Sequence, residues 1–328
     1  MGIKNYISLL IFLAVLIGLP LYLGTDSYWL SIFIIMGIYS LITIGLSLLM
    51  GYAGQISLGH GAFFGLGAYI SGLLCMHLQW NPWITIVTAM LITAGVAFLI
   101  GMPCLRLSGH YLAMATLAFG EIVVITFTAD ITDFVDFELT GGPAGFAGIP
   151  LLSIGSYELA SDFSYYCFVW GIVFVVLIFV LNMIHSRVGR ALRSIHGGEL
   201  AANAMGVNTT YYKVQVFVLS AVLASLAGSL YAHYVTFVSP TACELKFSVM
   251  LVVMVAVGGM ANVWGAILGT VLLVALPEYL AVFEDMDILV YGLILVCIMI
   301  FMPGGLFGTI AHGVNRCLGW FHGKREGA

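Results

Sequence analysis

Few side chains in this sequence could do chemistry, and they fall in two places. The first is inside the apolar runs. Glu121 stands within the run 111–128. At 1.5 Å per residue it lies about 16 Å along a helix, near the middle of a bilayer. A carboxylate at that depth costs several kcal/mol unless it is paired or neutral. It is therefore expected to face the protein interior. Gln55, Ser57 and His60 belong to the same class, in the glycine-rich stretch Gly51-Tyr52-Ala53-Gly54-Gln55-Ile56-Ser57-Leu58-Gly59-His60-Gly61. His60 and Gln55 are candidate partners for Glu121. Two readings stand for this group. Glu121 is either a pathway or ion-coupling residue, or a structural hydrogen bond between helices. The stretch 51–61 either lines a cavity or lets helices pack closely through small residues, since irregular backbone at membrane depth needs one or the other.

The second place is a basic, polar loop, residues 185–213, between the apolar runs 163–184 and 214–235. It carries Arg187, Arg190, Arg193 and Lys213. Gly197-Gly198 and Gly206 punctuate it, as residues past helix ends do. Between them, residues 199–205 read as a short helix with Glu199 in its first turn, where the dipole favours an acid. A short helix held out between two spans suits docking to a partner; an ordinary solvated loop is the other reading.

The elements that position these residues follow from composition. Of 328 residues, 62% are hydrophobic and 8% charged, against about 25% charged in a soluble domain. This is an all-α, polytopic membrane helical bundle, a single transmembrane domain over 1–328. The apolar runs are 6–23, 28–50, the segment from 61 toward 78, 84–100, 111–128, 163–184, 214–235, 247–257, 261–276 and 288–302. They give about ten transmembrane segments. Run 247–257 is short for a span and reads as a broken or re-entrant helix. The first run is read as a retained span rather than a cleaved signal.

Charge orients the bundle. With both termini cytoplasmic, Lys4, Arg106, Arg187, Arg190, Arg193, Lys213, Arg316, Lys324 and Arg325 fall inside, and Lys246 falls outside. Segment 130–162 has acidic residues and no Lys or Arg and is expected outside, in the periplasm. Glycine-rich breaks at 51–67 and 258–269 echo each other, and paired interruptions can mark a transport pathway.

Several classes are excluded. No G-x-x-x-x-G-K-[ST] stretch supplies an ATP site, and no H-E-x-x-H or G-x-S-x-G pattern supplies a catalytic one. No nucleic-acid-binding pattern occurs. The six cysteines have neither disulfide nor zinc spacing. No cofactor and no metal are expected.

The stretch from Gly51 to Tyr69 resembles a signature of the branched-chain amino-acid ABC importer permeases (Liv type). So do further blocks in the same order: Leu105-Arg106-Leu107-Ser108-Gly109-His110-Tyr111 through Phe119-Gly120-Glu121, the loop Thr140-Gly141-Gly142-Pro143 to Pro150, Gly189-Arg190-Ala191 to Gly206 with Phe237-Val238-Ser239-Pro240, and Gly258-Gly259-Met260 to Gly265. Their order and the T-G-G-P loop are more similar to the M-type permease than to its H-type partner.

The resemblance implies an ATP-driven importer subunit without ATPase activity of its own, in a bacterial inner membrane. Its partners would be a second, homologous permease, two cytoplasmic ATPase subunits and a periplasmic substrate-binding protein. It implies that the loop with Arg190 and Glu199 is the coupling element. Ala201-Ala202-x-x-x-Gly206 is similar to the E-A-A-x-x-x-G motif of such permeases, although Leu200 separates Glu199 from the alanines. A urea or short-chain amide importer on the same architecture is an alternative. An ion-coupled secondary transporter using Glu121 is another. A membrane enzyme lacks a catalytic cluster.

Overall fold

The computed structural model describes residues 3–24, 28–105, 109–129, 141–154, 157–159, 161–280, 287–302 and 304–309. The fold is helical, as expected. The long apolar elements are α1 (Ile3–Leu23), α2 (Tyr28–Ser47), α3 (His60–Leu78), α4 (Pro82–Cys104), α5 (His110–Thr128) and α6 (Asp162–His185). The polar loop holds α7 (Arg187–Gly197) and α8 (Glu199–Ala204). Then follow α9 (Thr209–Val235), α10 (Leu245–Gly258), α11 (Val263–Leu280) and α12 (Asp287–Phe301). Among the described residues, 7 helices are long and apolar enough to cross a membrane, and Ser8–Pro20, Leu245–Gly258 and Gly292–Phe301 are shorter apolar helices. The chain is a multi-pass membrane protein.

Local chemistry sets the ends. Asn81 accepts from the Trp83 amide at 3.0 Å with Pro82 opening α4. Asn208 accepts from the Tyr211 amide at 3.1 Å and opens α9, supplying acceptors to otherwise orphaned N–H groups. The apolar run 84–100 is extended in the structure, so the connection to the next run begins later. Pro103 lies within the last turn of α4, and Arg106 falls outside the described residues. So do Asp130, Asp133, Asp136 and Glu138 of the acidic segment, and Arg316, Lys324 and Arg325 of the tail. Residues 247–257 are as short as expected: α10 has 14 residues, about 21 Å against a hydrocarbon core of about 30 Å.

The centre is α2, of whose most apolar window 83% is buried, packed among α6, α9 and α11. Below it the helix widens into a π-helical turn, Leu48–Tyr52. Helices α3 and α9 run parallel and touch closely. A Cβ on Gly67 would strike the Ser225 backbone, and one on Gly228 would strike the Phe64 carbonyl. Small residues at such contacts let backbones approach where lipid offers no hydrophobic drive. Hydroxyls then bond across helices. Ser229 Oγ donates to the Gly67 carbonyl at 3.0 Å, Thr93 Oγ1 to Ser225 Oγ at 3.0 Å, and Thr43 and Thr270 hydroxyls meet at 2.8 Å.

The T-G-G-P loop holds short strands as well as turns. Phe146–Ala147 pairs antiparallel with Phe237–Val238, in the register Phe146↔Val238. Two sequence blocks some ninety positions apart are thus one structural unit at the end of α3, α5 and α9. Beside it the Cys243 thiol is buried, which pushes it up to about 12, with Glu244 adding to the rise.

Candidate functional site

The polar loop is built from its base outward. Helix α7 is amphipathic, with Gly189, Leu192 and Ile195 buried and Arg187, Arg190 and Arg193 exposed. Ser186 caps it, accepting from the Val188 amide at 3.1 Å. Gly198 ends α7, and α8 spans Glu199–Ala204 with Ala202 turned inward. Its other side is open: Leu200 is 88% and Met205 85% exposed. Gly206 closes the helix at φ +83°, with open space beyond its Cα, a backbone region glycine enters without steric cost. Ala201 is exposed and Glu199 half-buried.

What holds α8 in place was missed in the sequence. Lys213, counted there only as an inner charge, is 1% exposed and lies 2.7 Å from Glu199 Oε1. The Thr209 hydroxyl donates to the same oxygen at 3.3 Å and lies 3.1 Å from Asn203 Oδ1.

Helix α7 also reaches the glycine-rich break. Arg193 sits 5.9 Å over the Tyr52 ring, and its Nη2 donates to the Ile184 carbonyl at 2.9 Å. Gly54 packs on His196. The two breaks that echo in the sequence meet here, since a Cβ on Gly51 would collide with the Met260 carbonyl. This end of the bundle therefore gathers the irregular segments 53–59 and 259–262, the first of them against α7.

Within the break, His60 is enclosed. Its Nδ1 lies 3.1 Å from Ser57 Oγ and its Nε2 lies 2.6 Å from Ser220 Oγ on α9. Gln55 is buried and donates to the Ala53 carbonyl at 3.1 Å. A second histidine, His233, repeats the arrangement at the other end of the α3–α9 contact. Its Nδ1–H donates to the Pro150 carbonyl at 2.7 Å, which leaves Nε2 to accept from the Ser71 hydroxyl at 2.9 Å. The sequence carried a signal for it, a histidine inside an apolar run, and it was passed over.

Glu121 is partly buried, and its carboxylate makes no hydrogen bond to His60 or Gln55. The buried residues of α5 are Leu112, Thr116, Val123 and Phe127. Glu121 stands about 180° round the helix from Leu112. Among the described residues it has no hydrogen-bonding or ionic partner, so the desolvation cost of its charge is not offset within them.

The arrangement has a polar loop with an exposed apolar tip, buried hydroxyl–histidine contacts and a membrane carboxylate with no ionic partner among the described residues. Among the described residues no group of three or more metal-ligating side chains occurs. Comparison decides what it belongs to. Residues 28–299 match the model of the family described as branched-chain amino acid transport system / permease component. The chain belongs to that family. It is 33% identical over 292 residues to the high-affinity branched-chain amino acid transport system permease protein LivM of Salmonella typhimurium, covering 82% of this chain and 67% of that one. To LivM of Escherichia coli it is 32% identical over the same shares. To LivH of Salmonella typhimurium it is 24% identical, over 82% of this chain and 91% of that one. No solved structure matches. The permease is thus a transport subunit and not an enzyme, and the expected resemblance, including the leaning toward the M type, agrees with these relatives.

Proposed function

We propose that the permease is the M-type membrane subunit of an ATP-driven importer of branched-chain amino acids. It pairs with a second, homologous permease, and two cytoplasmic ATPase subunits and a periplasmic substrate-binding protein complete the machine. The observation that carries the reading is the loop. Its α8 tip offers Leu200 and Met205 to a partner, while its base is fixed by Glu199, Lys213 and Thr209. A rigid tip on a fixed base can pass a partner's motion to the spans it joins. Arg190, Glu199, Ala201, Ala202 and Gly206 fall within this unit.

The proposed topology has about ten membrane segments, the shorter apolar helices included, with both termini and residues 185–213 cytoplasmic and 130–162 periplasmic. Glu121 supports a second permease. A partly exposed midplane carboxylate without a polar partner among the described residues would cost several kcal/mol against lipid, and a partner permease completes its cover. The substrate passes between the two, beside Glu121, with Gln55 at the cytoplasmic mouth. Ser57 and His60, expected on the pathway, link α3 to α9 through Ser220, and we assign them this structural part.

Proteoliposomes carrying the co-expressed complex test this reading. Leucine, isoleucine or valine uptake that requires the binding protein and ATP on the ATPase side supports it. ATP-driven uptake of urea or a short amide in their place would move the substrate assignment to the alternative. Uptake that survives ATP depletion with a proton gradient intact would overturn the ATP-driven reading.

A further inference from the structure

The base of the polar loop carries a cleft on the side of α7 and α9, next to the exposed α8 tip. Arg187 and Arg190 are exposed, and among the described residues neither has a carboxylate partner. With Ser194, Asn208 and Tyr211, and beside Gly206 at the end of α8, they line this cleft of about 480 Å³. Tyr211 is also a wall of a second concavity, about 580 Å³, lined by Phe98, Met183, Val188, Val214, Val218 and Val222. These side chains come from α4, α6, α7 and α9, within or beside the membrane spans. One concavity is cationic and hydrogen-bonding; the next is apolar and opens to the bilayer; Tyr211 is common to both.

The ligand that fits both is an anion joined to hydrocarbon. No carboxylate lines the cleft, so nothing there would hold a choline or ethanolamine ammonium. Glu199, the acid of the loop, is engaged by Lys213. We propose that the two concavities form one site for an anionic glycerophospholipid of the leaflet on the loop's side. Its phosphodiester lies on Arg187 and Arg190, and one acyl chain lies in the apolar groove along α9. Basic residues next to a membrane attract anionic headgroups, at about fivefold in affinity per side chain. The lipid would brace the junction of α7 and α9, below the tip formed by Leu200 and Met205. The site rests on the membrane placement of the loop, not on ATPase docking, and is therefore measured by binding rather than transport.

The test is the thermal unfolding midpoint of the purified full chain in detergent, titrated with dioleoylphosphatidylglycerol. A ligand that binds only the folded state raises the midpoint saturably. The expected result is a saturable rise that dioleoylphosphatidylcholine, with the same chains, reproduces only weakly. Arg187→Gln with Arg190→Gln should weaken the effect about thirtyfold and leave the lipid-free midpoint unchanged, because both side chains are exposed. Val218→Phe, which narrows the groove without touching a charge, should weaken it too. Equal rises with both lipids, or an unchanged response in the arginine double variant, would overturn the proposal. So would a rise reproduced by inorganic phosphate alone, which would mark a soluble-anion site. If the lipid is displaced completely when ATPase subunits are added, the arginines serve the protein partner and the proposal fails.

Discussion

Lys213 Nζ lies 2.7 Å from Glu199 Oε1, and this pair ties the short helix α8 to the first turns of α9. The geometry explains why both charges are needed. Lys213 is 1% exposed and sits near a helix N-terminus, where the dipole disfavours a cation. Glu199 neutralises it and also accepts from Thr209. The two partners are not equivalent. Removing Glu199 strands a buried ammonium, whereas removing Lys213 leaves a carboxylate that is 35% exposed. Glu199→Gln should therefore cost more than Lys213→Met, about 2 kcal/mol against about 1. Thermal unfolding of the two variants would show the order, and the reverse order would contradict the pairing.

His60 is expected to be structural. His60→Leu removes a ring that meets both Ser57 and Ser220 and leaves buried hydroxyls short of a partner, at a cost of about 1–3 kcal/mol. Uptake per folded molecule should stay near the wild-type rate. A variant of undiminished stability that fails to transport would return His60 to the pathway.

Glu121 should behave in the opposite way. Glu121→Gln should leave the stability of the isolated chain within about 0.5 kcal/mol, as for a partly exposed residue with no hydrogen-bonding or ionic partner to lose, and should alter transport in the assembled complex. Glu121→Cys, combined with a cysteine introduced at the facing position of the second permease, should cross-link to it through a short bifunctional maleimide. The buried Cys243 thiol, pushed up to about 12, should not compete, since the thiolate is the reactive form. A cysteine at 121 that reacts only with lipid-soluble reagents and never with a partner would remove the argument for a covering subunit.

Much of this was legible in the sequence because membrane helices announce themselves by length and apolarity. The expected runs 163–184 and 214–235 lie within α6 and α9, and the short helix expected at 199–205 is α8. What was not legible depended on which side of a helix faces which neighbour. Glu121 was expected inside because burial of a carboxylate in a bilayer is costly, and that cost does not say which chain provides the cover. The Phe146↔Val238 pairing was invisible because strands of two residues carry no period. Lys213 was readable in principle: a lysine next to an apolar run, fourteen positions after the acid of the loop, needed a partner.

The α8 tip gives the most specific expectation for coupling. Leu200→Asp with Met205→Asp places charge on an exposed apolar surface without disturbing the core, so folding should be unchanged. ATPase association should fall by at least tenfold, as expected for apolar anchors at an interface centre. These positions are better probes than Gly206, where φ +83° would strain the backbone of any substituted residue as well as obstruct docking. Unchanged association would remove α8 from the interface.

The central claim is that this chain is one part of an ATP-driven machine. The most direct measurement is gentle extraction of the tagged full chain from its native membrane, followed by identification of what accompanies it. The account predicts a second permease of similar size and a P-loop ATPase, with the ATPase lost and the permease retained in the Leu200→Asp, Met205→Asp variant. A chain that purifies alone and still transports in vesicles without ATP would contradict it.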